Sequence, residues 1–184
     1  MDFPDISTYP DSQREAIESA KKQGGSVFLI NGVEYHIEKD GENFKIRAFS
    51  WDEEIWLAST GTIGKHYALR VKSEFQWKWI GKILFQTKVA LDGILDSEWS
   101  WRYSRILFLM KMWYVPVGHA SQENDHRFDY PLWRDELKVI RKGVRDFCKN
   151  RGTWWNGDWC PFSVRLKYSP WAAARFLQFI EPKP

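Results

Sequence analysis

Asn31-Gly32 stands between two short β-prone runs, Val27-Phe28-Leu29-Ile30 and Val33-Glu34-Tyr35-His36-Ile37. Asn and Gly take positive φ more readily than other residues, and a two-residue type I′ turn requires positive φ twice in a row. The pair therefore commits this stretch to an antiparallel hairpin whose register is set at the turn. Asp40-Gly41 repeats the signal. Beyond it Phe44, Ile46 and Ala48 alternate with Lys45 and Arg47, as in a strand with one buried face. Ile55-Trp56-Leu57 and His66-Tyr67-Ala68-Leu69-Arg70-Val71 read as further strands, connected through Ser59-Thr60-Gly61-Thr62-Ile63-Gly64. The first 72 residues thus predict an antiparallel meander of about four or five strands.

Helices are expected around it. Residues 12–22 carry a capping-box pattern, Ser12 followed three residues on by Glu15, and Gly24-Gly25 to stop them. In 74–95, Trp77, Ile80, Leu84, Leu91 and Leu95 recur at helical spacing. Asp129 and Pro131 open a helix running to Asn150, stopped by Gly152, and Ser169-Pro170 opens a last one through Ile180. Trp99, Trp101 and Tyr103 alternate like a strand, whereas Ile106 to Val115 fits a buried strand and a helix equally well. Residues 118–129 read as a polar loop, 153–162 as a Trp-rich turn, and Val164, Leu166 and Tyr168 as one more strand. The expected fold is α+β: a single domain over residues 1–184, with a mostly antiparallel sheet and about three to four packed helices.

Only Cys148 and Cys160 supply thiols, and no CxxC pair is present. A secreted disulfide scaffold and a thiolate zinc site are both disfavoured. The acidic start Met1-Asp2-Phe3-Pro4-Asp5 contains no apolar core of a signal peptide. Ile106 to Val117, the most apolar stretch, is too short to span a bilayer and contains Lys111. The expectation is a soluble protein of the cytoplasm or nucleus with no membrane association.

Motifs for catalysis are missing. Gly61-Thr62-Ile63-Gly64-Lys65 ends like a phosphate loop, but Ser59 stands where the first glycine belongs and His66 where Ser or Thr belongs. There is no GxGxxG, GxSxG or HExxH. His119, Glu123, Asp125 and His126 share one polar segment, yet their spacing matches no closed metal site. We therefore expect no catalytic residues, no metal and no cofactor.

The helix at 131–150 is the most organised feature. At about 100° per residue, Trp133, Leu137, Ile140, Val144, Phe147 and Cys148 gather on one face. Arg134, Lys138, Arg141, Lys142, Arg145 and Lys149 gather on a neighbouring face, and Arg151, Trp154, Trp155 and Trp159 follow. Charge is split in the same sense, with a net −4 over residues 1–70 and +7 over 71–184. Rows of cations replace counterions along a phosphate backbone, and aromatic rings beside them stack bases. The composition, with 12 Trp in 17% aromatic residues, suits that use. The expected function is non-catalytic binding of nucleic acid. The alternative is a protein-interaction module, for example an inhibitor encoded by a virus or mobile element, because Trp and Arg also dominate protein interfaces.

Overall fold

The computed structural model describes residues 5–50, 56–63, 66–72, 75, 79–120, 130–150 and 157–177. The class is α+β with antiparallel sheets, and the chain divides into two compact units, residues 1–95 and 96–184. Among the described residues no helix is long and apolar enough to cross a membrane.

In the first unit helix α1 (Asp11–Gln23) precedes the strands β1 (Gly25–Ile30), β2 (Val33–Asp40), β3 (Asn43–Ser50), β4 (Trp56–Ile63) and β5 (His66–Val71), and α2 (Ile80–Asp92) follows them. The strands form one antiparallel sheet in chain order. The register follows the turns: Ile30 faces Val33 across Asn31-Gly32, and Asp40 faces Asn43. Asn31 and Gly32 both take positive φ, at 51° and 74°. One face of the sheet carries Phe28, Tyr35, Ile37, Ile46, Ala48 and Ala58, which pack with Ala16 and Ala20 of α1 and with Ile80 and Leu84 of α2. Phe28 and Tyr35, directly opposed, stack with centroids 4.8 Å apart.

Two helix starts in this unit differ from the sequence expectation, and so does that of the later helix expected from Pro131, which begins at Arg134 while Pro131 pairs in a strand. Pro10, not Ser12, occupies the N-cap of α1, and the Ser12 hydroxyl lies 3.5 Å from the Leu29 carbonyl oxygen. A proline at that position fixes φ for entry and so displaces the hydroxyl cap. Helix α2 begins at Ile80 rather than at 74, because Trp79 before it is in the left-handed region at φ 56°. Trp77 lies outside the described residues.

An ion pair is buried between α2 and β3. Lys88 and Asp92, four apart on the last turns of α2, contact each other, and both side chains are out of water. The Lys88 ammonium also donates to the Phe44 carbonyl. Asp92 accepts from the Phe44 N–H at 3.1 and 3.2 Å. The β3–β4 ladder has its last pair at Ile46 and Thr60, so the helix satisfies the strand backbone beyond the ladder's end. Both polar groups of one strand residue are thus held by a charged pair, which is what lets those charges be buried.

The second unit contains β6 (Ser97–Arg102), α3 (Tyr103–Lys111), β7 (Tyr114–Ala120), β8 (Tyr130–Pro131), α4 (Arg134–Lys149), β9 (Trp159–Tyr168) and α5 (Pro170–Leu177). Its strands form a second antiparallel sheet in the order β6-β9-β7-β8. The ambiguous segment resolves into both alternatives: residues through Lys111 are helical, and Tyr114 onward is strand. Trp113, in the left-handed region at φ 74°, makes the break. Residues 118–120, expected in a loop, extend β7 by pairing with β9, while 121–129 lie outside the described residues. The final strand begins at Trp159, earlier than expected, because Trp159 pairs with Arg102 across a register shift in β6. Ile106, Leu109 and Met110 of α3 and Val164 and Leu166 of β9 are fully buried. Glu98 on β6 is buried too and is met by Arg105 of α3 at 3.3 Å.

Candidate nucleic-acid interface

Helix α4 is held to the rest of its unit along one narrow line. Ile140, Gly143 and Val144 are its buried residues. Gly143 is where the neighbouring helix comes closest: a Cβ there would fall 2.0 Å from Cζ of Tyr103 and 2.2 Å from Cε1. No side chain fits without moving that ring, so the glycine is a packing requirement. The first residue of α3 thereby fixes how α4 is rotated.

Tyr103 is itself anchored. Its ring is buried, and its hydroxyl is hydrogen-bonded with the buried Cys160 thiol. Burial pushes the Tyr103 hydroxyl well above the usual tyrosine range, helped by the neighbouring Cys160 and Asp146. Burial likewise raises the Cys160 thiol, against hydrogen bonds with Phe162 and Tyr103 that lower it. The neutral forms are the ones the fold accepts. Raised folded values mean this stability is complete below the unfolded values and is lost as pH rises towards the folded ones. The denaturation midpoint of the wild type should therefore fall above about pH 9, and replacing Cys160 by Ala should flatten that fall. An equally steep alkaline fall in the variant would show that Cys160 does not contribute.

With that line buried, the opposite side of α4 faces solvent. Arg134, Lys138, Lys142, Arg145 and Lys149 are all exposed. They recur every three or four residues, so they lie on one face over about 22 Å of helix. Arg141 is half-buried at the edge of this stripe, its guanidinium 5.1 Å from the Phe176 ring of α5. Lys138 meets Asp135 at 2.8 Å, and Lys142 meets Asp146 at 2.9 Å. Both are solvent-facing pairs at helical spacing, a kind worth only about 0.3–0.5 kcal/mol. A phosphate can displace them at little cost.

The core-face assignment needs one correction. Trp133, placed by its spacing among the buried residues, is the N-cap of α4 and 67% exposed. Its backbone is extended, so the helical wheel does not apply to it. Leu137, Phe147 and Cys148 are half-buried, around the buried Ile140 and Val144.

Of the aromatic residues expected beyond the helix, Trp159 is described, whereas Arg151, Trp154 and Trp155 lie outside the described residues. Trp159 is 54% exposed, with the Arg102 guanidinium 4.7 Å over its ring. Asp158 holds its backbone in place. That carboxylate accepts from the Ser104 N–H and the Ser104 hydroxyl, both at 2.7 Å, and the Asp158 carbonyl accepts from the Tyr103 N–H at 2.9 Å. Asp158 therefore caps α3 from outside the helix, in place of Arg102, the N-cap residue, which makes no side-chain cap bond.

Sequence reasoning missed three exposed residues that form cation–ring pairs, Arg102, Trp171 and Arg175. Arg102 joins Trp159 only through the β6–β9 register, which no local pattern encodes. Trp171 is 77% exposed on α5, with the Arg175 guanidinium 5.2 Å over its ring. Their i, i+4 spacing is legible in the sequence, but exposure of the indole is not. His119 of the polar segment lies 5.2 Å from Phe162 and 5.6 Å from Tyr130, among rings. Among the described residues no group of three His, Cys, Asp or Glu could hold a metal ion; Glu123, Asp125 and His126 are outside them. Compared with known protein families, with curated proteins and with solved structures, the chain shows no match.

Proposed function

We propose that this protein binds nucleic acid, without catalysis, through the outward face of α4. The observation that carries the reading is the exposed row Arg134, Lys138, Lys142, Arg145 and Lys149, opposite the buried line Ile140, Gly143 and Val144. A rigid helix presenting charges at fixed intervals neutralises successive phosphates without first being ordered, so less entropy is lost on binding. The net +7 of residues 71–184 adds long-range attraction for a polyanion.

Salt dependence tests this directly. Affinity for a labelled oligonucleotide should fall linearly in a log–log plot against salt. Replacing Arg134, Arg145 and Lys149 together by Gln should flatten that slope by about one unit per lost phosphate contact. All three are exposed, so the fold should tolerate the change. No binding by the wild type at low salt would remove the reading.

A second reading rests on Trp133, Trp159 and Trp171, which are more exposed than tryptophan usually is. Exposed indoles of this kind are typical anchors of protein interfaces. Under it, nucleic acid would bind weakly, with no slope change in the triple variant.

A further inference from the structure

We propose that Trp171 and Arg175 of α5 form a base-stacking subsite beside the α4 cations, and that the ligand is single-stranded nucleic acid. The inference rests on the nucleic-acid reading of α4 and extends it to strandedness and to two residues outside that helix.

Helix α5 buries Ala173 and turns Trp171 and Arg175 to solvent. An indole left 77% exposed leaves a large apolar face in water. The Arg175 guanidinium lies over the ring, four residues on. This leaves room for a flat partner on the indole and sets a cation where a phosphate attached to that partner would lie.

The subsite is tied to the stripe through Arg141 and Phe176. Arg141 is the cation of the stripe that turns towards α5, and its guanidinium lies 5.1 Å from the Phe176 ring. Trp171 precedes Phe176 by five residues, about 7–8 Å along the helix axis. Five residues are also about 140° of rotation, so a strand following the α4 cations would bend around α5 to meet the indole.

The exposed indole, rather than the cations of α4, favours a single strand, because such cations neutralise the phosphates of either form. Duplex bases are already stacked on each other, so a protruding indole gains little there. An unpaired base offers both of its faces.

The test uses the full chain, with labelled single-stranded DNA, single-stranded RNA and blunt duplex of matched length at one salt concentration. The wild type should bind a single strand more tightly than duplex. Trp171→Ala should weaken single-strand binding by about 5- to 150-fold, the loss of one base stack, with an unchanged salt slope. Trp171→Phe should restore much of that loss. Duplex bound as tightly as single strand, or a Trp171→Ala affinity within twofold of wild type, would overturn the inference. If the α4 triple variant still loses its slope, the nucleic-acid reading survives that failure. Absence of binding to all three probes at low salt overturns both.

Discussion

Replacing Lys88 by Met should destabilise the first unit by about 3–5 kcal/mol, the cost of removing one partner from a buried charged pair. Met keeps the length and apolar stem of Lys, so the change isolates the ammonium. Its loss strands the Asp92 carboxylate, whose side chain is 4% exposed, and the Phe44 carbonyl. Substituting both residues, Lys88→Met with Asp92→Leu, should cost less than the single change because no charge is left unpaired. The measurement is the denaturation midpoint of each variant, with amide exchange along β3 to locate the loss. A single variant as stable as wild type would mean that the pair does not bear on folding.

Replacing Ile140 by Ala should cost about 2–5 kcal/mol, the range for a large aliphatic truncated at a closed site. Ile140 is fully buried, on the same side of α4 as Gly143 and Val144. The expected result is a lower denaturation midpoint without loss of helix content in the remaining folded protein. An unchanged midpoint would show that α4 is not held by its apolar line.

Ile140 also marks how far sequence reasoning reached. Its burial follows from 3.6-residue periodicity, and so does the exposure of Lys138 and Arg145, because both are properties of one helix. The hairpin at Asn31-Gly32 was legible for a similar reason, since turn chemistry is local. Other features depend on partners distant in the chain. Asp158 caps α3 across more than fifty residues, and Arg102 covers Trp159 through a sheet register. Trp133 was misplaced because periodicity was extended one residue beyond the helix that justified it. The ambiguity of Ile106 to Val115 was real, since Trp113 divides that stretch between helix and strand.

The contact of Gly143 with the Tyr103 ring has a consequence for how this surface can diversify. What positions α4 is a notch and a ring, and neither belongs to the charged side. Exposed helix positions away from such contacts usually change stability by no more than about 0.5 kcal/mol. Lineages carrying this domain can therefore rewrite positions 134, 138, 142, 145 and 149 while position 143 stays fixed. Related chains should show a mutable strip of charge beside an invariant glycine. A library randomised at those five positions should retain mostly folded members, making α4 a ready scaffold for selecting altered ligand preference.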